Sequence, residues 1–239
     1  MSFPNTLRNR RASWLLGMCV ALCADIGTAS AQEKSPEFSQ AEVLLWMTDQ
    51  LSAVTAPVTL MYAFKRSGAL EAGFDDQIEF QIRKVHEDGT KSAAVRFFTG
   101  ERNFPVPPVE NTTVNPILKI YLQGDVLEMN RLSDPNGTAR ERWRYFQRRI
   151  KFALAESATV QAHTFEFDGR RWNGHKIEFQ PYVNDPRRNL FEKYADKSYS
   201  FIVSDELPGY VYQIETVVPG AKEGAPLIRE FLQLDSIAR

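Results

Sequence analysis

Cysteine is almost missing from this sequence. Cys19 and Cys23 are the only two, and both lie close to the N-terminus. Beyond them the chain has no disulfide and no thiol nucleophile, so its stability must rest on an apolar core. Histidine is nearly as scarce. His86, His163 and His175 are the only three, and none has a second histidine at i+2, i+3 or i+4. His163 and His175 could approach each other across a hairpin near Glu166, but catalytic zinc usually takes three ligands, so no metal site is expected. There is no GxSxG elbow, no glycine-rich phosphate loop and no dinucleotide fingerprint. No catalytic residue and no cofactor is expected. The carboxylate pairs Asp75-Asp76 and Asp205-Glu206 read as turn chemistry, because adjacent turn residues point apart into solvent. A glycosidase needs its two carboxylates about 5–10 Å apart across a cleft. Positive charge is not in excess either: the formal net charge is −1. The basic residues that do cluster are confined to one segment, which argues against a nucleic-acid partner.

The N-terminus carries the first positive signal. Arg8, Arg10 and Arg11 form a basic region, Trp14–Ala24 is a short apolar run, and Ala29-Ser30-Ala31 supplies small residues for cleavage. This pattern predicts a secretory signal peptide over residues 1–31, cleaved after Ala31. The apolar run is well short of the roughly 20 residues that span a membrane. Neither cysteine follows a small residue, so lipidation is not expected. Cleavage removes both cysteines. No later stretch is apolar enough to cross a membrane, so residues 32–239 are expected to form a single β-rich domain in the periplasm.

The rest of the chain reads as strands around a helical insertion. Ser39-Gln40-Ala41-Glu42 fits a capping box, and Val43, Leu44, Met47 and Leu51 form the stripe of a helix after it. Val58–Lys65 predicts a strand with Leu60, Tyr62 and Phe64 on one face. Gln77–His86 and Lys91–Thr99 flank Asp88-Gly89, and pairing outward from a two-residue turn places Ile82 opposite Val95 and Phe80 opposite Phe97. Gly100–Asn115, with three prolines, predicts an extended loop or rim. Pro116–Gln123 reads as a strand, and Asp125–Leu132 as a short helix with Val126 and Met129 inward. A second hairpin turns at Asp168-Gly169 and sets Phe165 opposite Trp172 and Glu166 opposite Arg171, with Asn173-Gly174 as a competing turn. Arg188–Tyr194 predicts a helical turn. Ser198–Val203, Tyr210–Val217 and Leu227–Leu234 complete the strands. Trp46, Trp143 and Trp172 are expected in the core.

Between the two strand-rich halves lies Ala139–Glu156, the clearest helix and the densest run of positive charge. At about 100° per residue, Trp143, Phe146, Ile150, Ala153 and Leu154 share one face. Tyr145, Phe152 and Arg149 lie roughly opposite, so the helix has two apolar strips and is expected to be covered on two sides. Arg140, Arg142, Arg144, Arg148 and Lys151 lie between the strips. A solvated basic flank is the plainer reading. The sharper one is a ligand or partner site formed by Arg144, Arg148, Arg149, Tyr145 and Phe152, because guanidinium forks suit carboxylate and phosphate.

Sequential strands joined by tight turns argue for an antiparallel sheet, and a sheet this wide tends to curl. The expected fold is α+β: a curved antiparallel sheet or half-barrel of about eight strands, with an N-terminal helix and a helical insertion packed on the concave face. The order of signal peptide, opening helix, antiparallel strands and helix against a concave face resembles the periplasmic lipoprotein-carrier-like half-barrels. That resemblance implies a protein that binds lipid or lipidated chains, or an envelope module. It carries no motif and hence no site residue. Three functions follow as alternatives: a non-enzymatic periplasmic binding protein for a lipid or other apolar or amphipathic ligand, an interaction module meeting an envelope protein partner, or a hydrolase with dispersed residues.

Overall fold

Eight long runs of alternating burial and exposure build one sheet. A computed structural model describes residues 38–134, 136–137, 141–220 and 224–238. The predicted signal peptide lies outside the described residues. The strands are β1 (Val58–Ser67), β2 (Phe74–Val85), β3 (Lys91–Phe97), β4 (Phe104–Pro105), β5 (Val109–Thr112), β6 (Thr159–Phe167), β7 (Arg170–Phe179), β8 (Ser198–Val203), β9 (Val211–Val218) and β10 (Ile228–Ala238). Their order is β4-β3-β2-β1-β10-β9-β8-β7-β6, with β5 also paired to β3, and every pairing is antiparallel. Arg83, Tyr212 and Asp235 are each an extra residue in the ladder. Such bulges deepen the right-handed twist and bend the strand that carries them. The sheet is curved and does not close, which makes it a half-barrel of the expected α+β class.

The first hairpin departs from the expected register. Phe80 faces Val95, Ile78 faces Phe97 and Ile82 faces Ala93. The connection has three residues, with Gly89 at φ 84° and His86 N donating to Thr90 O at 2.9 Å. That adds one residue of shift, and the bulge at Arg83 adds another. A shift of two preserves which face each side chain takes, so the same apolar residues are buried. The second hairpin follows the expected register: Phe165 faces Trp172 and Glu166 faces Arg171. Asp168 and Gly169 both have positive φ, as a two-residue hairpin turn of matching twist demands. Gly174 is not a turn. A Cβ there would lie 2.1 Å from the Val203 carbonyl oxygen, so glycine lets β7 approach β8.

Among the described residues three α-helical elements accompany the sheet, with short 3₁₀ turns at Gly100–Arg102, Arg188–Leu190 and Glu192–Tyr194, the last two within the expected helical turn. The capping box at Ser39 and Glu42 is present and opens α1 (Gln40–Glu42). The segment then widens into a π-turn over Val43–Met47, where Thr48 N donates to Val43 O. This rotates the stripe: Ala41, Leu45 and Leu51 are buried, whereas Val43, Trp46 and Met47 are exposed. Trp46 is therefore not a core residue. Trp172 is buried and Trp143 half-buried.

Residues 116–133 form one helix, α2 (Pro116–Ser133), and not a strand followed by a short helix. Asn115 accepts from Ile117 N at 2.9 Å and Pro116 occupies the first turn, a strong start signal. Ile117, Leu118, Tyr121, Leu122, Val126 and Met129 recur at helical spacing on the buried side, and Gly124 stands within the helix at modest cost. The second helix, α3 (Arg142–Glu156), buries Phe146, Ile150, Ala153 and Leu154. It packs on α2, with Trp143 N donating to Asn130 Oδ1 at 2.9 Å. The helix whose side chains reach the concave face of the sheet is thus α2. Among the described residues no helix is long and apolar enough to cross a membrane.

Candidate functional site

The concave face is a filled interior with polar anchors. Along α2 the apolar stripe is interrupted at Asp125, which is 6% exposed. Its carboxylate meets the Lys197 ammonium and accepts from the Tyr199 hydroxyl at 2.7 Å. Tyr199 in turn lies 3.4 Å from the Tyr182 hydroxyl. One turn earlier, Tyr121 donates to Glu230 Oε2 at 3.0 Å and lies 3.2 Å from the Thr216 hydroxyl. These contacts tie α2 to β8, β9 and β10. Burial pushes the phenols of Tyr121, Tyr182 and Tyr199 well above their ordinary range, so all three stay protonated at neutral pH. Burial also raises the Glu230 carboxyl, an effect opposed by Lys197. Protonated phenols here donate the hydrogen bonds that anchor α2 to the sheet.

Beside this interior, α2 leaves a cleft open over β1, β2 and β3. The cleft holds about 240 Å³. Phe64, Phe74, Phe97 and Phe98 line its apolar side, and Arg66, Asp125, Glu128 and Glu230 its polar side. The rings form a continuous cluster: Phe64–Phe98 at 4.8 Å, Phe64–Phe74 at 5.4 Å and Phe97–Phe98 at 4.7 Å between centroids. Phe98 stands at φ 69°, a conformation bulky residues rarely take. Its three ring contacts, the third being Phe74 at 5.7 Å, hold it there. Such strain concentrates at ligand clamps.

The polar side is an ion-pair network. Arg66 pairs with Glu71 at 3.0 Å, Glu128 at 2.9 Å and Glu230 at 3.6 Å. Arg131 closes the network onto Glu71 at 2.9 Å and Glu128 at 2.7 Å. Hydrogen bonding from Arg131, aided by Arg66 and opposed by burial, holds the Glu128 carboxyl below its usual range. Arg66 joins β1 to α2 through this network, so the mouth of the cleft has defined walls.

The residues singled out on the basic helix divide into two groups. Tyr145 and Arg149 converge on Asp185, whose side chain is fully buried. Tyr145 donates to Asp185 Oδ1 at 2.6 Å and Arg149 Nε lies 2.8 Å from Oδ2. Arg187 N also donates to Asp185, at 2.7 Å. This cluster pins the segment Tyr182–Phe191 over one flank of α3, where Phe146 meets Phe191 edge-on at 5.3 Å. Arg144, Arg148 and Phe152 lie on the solvent side, with Arg144 paired to Glu141 at 2.8 Å.

Sequence reasoning did not single out Asp125, Lys197, Glu230, Phe74 or Phe98. Asp125 interrupts an otherwise apolar i, i+3, i+4 stripe, a signal that exists only once residues 116–133 are read as one helix. Glu230 sits between Ile228 and Leu232 on the inward side of β10, a polar residue on an apolar alternation.

No family model matches the chain, and no curated protein matches it. Two solved structures align with most of its length at low identity. LprF from Mycobacterium bovis aligns at 11% identity over 84% of this chain and 94% of that chain, with a TM-score of 0.34. A LolA superfamily protein from Nitrosomonas europaea aligns at 8% identity over 82% of this chain and 92% of that chain, with a TM-score of 0.25. No residue role is carried across from either.

Proposed function

We propose that this protein is a non-enzymatic binding protein of the bacterial cell envelope, which holds an apolar or amphipathic ligand at the phenylalanine cleft between α2 and β1–β3. The observation that carries this reading is the cluster Phe64, Phe74, Phe97 and Phe98 around an open cleft, with Phe98 held in a strained backbone. Ligand sites are mostly apolar concavities with a few placed polar groups. Both arginines of the polar side are engaged by Glu71, Glu128 and Glu230, so it offers no free cation to an acidic head group. The cleft therefore suits the hydrocarbon part of a lipid. At about 240 Å³ it lies just under the roughly 300–1,000 Å³ of small-molecule sites. It suits a segment of a chain, while the rest of the ligand stays outside. A periplasmic location rests on the export signal expected from the sequence of residues 1–31.

The test is native mass spectrometry of the protein purified from a periplasmic fraction, followed by organic extraction. A discrete bound lipid, lost in Phe64→Ala and Phe98→Gly variants that still fold, supports the reading. A clean apo mass, together with failure to bind a fluorescent fatty-acid probe, overturns it.

A second reading is favoured by the filling of the concave face by α2: an interaction module that meets an envelope protein partner and takes no small ligand. It expects the apo mass, and a single reproducible cross-linked protein in the native envelope.

A further inference from the structure

The exposed face of α3 belongs neither to the core nor to the cleft. Its period places Arg144, Arg148, Lys151 and Phe152 on one side, opposite Phe146, Ile150, Ala153 and Leu154. All four are exposed, and Phe152 is 52% exposed. Arg144 is offset by Glu141. Arg148 and Lys151 have no acidic partner among the described residues. Arg149, which Asp185 occupies, turns to the flank and takes no part.

Two neighbouring segments extend this face. The Asp185 cluster holds Arg187 against α3, with its guanidinium 5.3 Å over the Tyr145 ring, and Arg187 also lacks an ion pair among the described residues. Three residues on, Leu190 is 55% exposed. At the other end of α3, the Ser39 hydroxyl donates to Leu154 O at 2.7 Å, which sets the adjoining Phe38 there, 54% exposed. Cations and large exposed apolar side chains thus occur together along α3 and on the two segments bonded to it. The whole chain carries a formal charge of −1, so this concentration is local.

From this geometry we propose that the α3 face docks the protein on an anionic phospholipid surface. Charge complementarity selects the occupant. Arg148 and Lys151, neighbours at i and i+3 on α3, and Arg187 have no ion pair among the described residues, as suits a surface of phosphate head groups. Phe152, Leu190 and Phe38 are large and apolar, as suits insertion at the head-group boundary. The inference rests on a different face from the phenylalanine cleft, and either can fail without the other.

The experiment is co-sedimentation of the mature protein with vesicles of phosphatidylcholine, with and without phosphatidylglycerol, at low and at physiological salt. Binding is expected only with phosphatidylglycerol and is expected to weaken with salt. Each basic residue near such a surface contributes a factor of about five in affinity, so Arg148→Glu/Lys151→Glu is expected to lose more than about tenfold. Phe152→Ser is expected to lose severalfold while the salt dependence stays. Because these positions are exposed, their thermal melts should match the wild type and exclude unfolding as the cause. No binding to either vesicle overturns the proposal, as does equal binding to both. So does phosphatidylglycerol binding that Arg148→Glu/Lys151→Glu leaves unchanged. Retention by one acidic envelope protein without vesicle binding overturns it in favour of a protein partner.

Discussion

Lys197 and Asp125 meet beneath the middle of α2 with side chains only 5% and 3% exposed. Removing one partner strands the other charge in the core. Lys197→Met is therefore expected to lower unfolding free energy by about 3–5 kcal/mol in a urea titration. Asp125→Leu combined with Lys197→Met should recover most of that loss, because a well-packed apolar pair is often as stable as a buried ion pair. A double variant as unstable as the single one would show that the pair is needed for more than charge balance.

Glu230 gives the fold a pH dependence of defined sign. Burial raises its carboxyl, Lys197 and Arg66 pull it down, and Asp125 pushes it up. The folded form therefore holds this proton more tightly than the unfolded chain. The stability it contributes is complete below the unfolded pKa, about 4.3, and is lost as pH rises through the higher folded value. Glu230→Gln removes the loss. The Tm difference, variant minus wild type, is expected to increase from about pH 4 to about pH 7. A difference that shrinks with rising pH would contradict the assignment.

Asn115 works in three directions at once. Its carboxamide caps α2 at Ile117 N, donates to Gly209 O at 2.7 Å, and its own N–H reaches Gln50 Oε1 at 2.8 Å. Asn115→Ala is expected to cost about 2 kcal/mol, the cap together with an unsatisfied carbonyl. Asn115→Asp keeps the cap acceptor but sets a carboxylate against the Gly209 carbonyl, so denaturant midpoints should show little rescue.

Phe98 separates backbone strain from ring contact. Glycine tolerates φ 69°, whereas alanine keeps the strain and loses the ring. Phe98→Gly is expected to be more stable than Phe98→Ala by about 1 kcal/mol in thermal melts. Both should lose affinity for an apolar probe at the cleft. Equal stability of the two variants would remove strain as a feature of the site.

Much of the sheet was legible because its signals are local. Asp168-Gly169 names its own turn, and Leu60, Tyr62 and Phe64 alternate as a half-buried strand must. The first hairpin was harder. Asp88-Gly89 suits a two-residue turn, yet Glu87 joins the loop and Arg83 bulges, and neither event leaves a mark in the hydrophobic pattern. Pro116–Gln123 misled because Ile117, Leu118, Ile120, Tyr121 and Leu122 form a short apolar run, which periodicity alone cannot assign to strand or helix. Asn-Pro at positions 115–116 was the available helix start signal. The cleft was least legible, because Phe64, Phe74, Phe97 and Phe98 come from three strand ends that only the tertiary fold brings together.

The strand order has a consequence for how the molecule is assembled. β1 and β10, the first and last strands, are neighbours in the middle of the sheet. Without Ile228–Ala238 the sheet falls into two ladders, β1 to β5 and β6 to β9, which are then joined by side-chain contacts such as Tyr121–Thr216 and not by strand pairing. Strand pairing cannot join the two ladders until β10 is in place, and contacts of such long sequence separation form slowly. The C-terminal strand is the keystone of the arch. Its loss would interrupt the sheet at its middle rather than trim an edge.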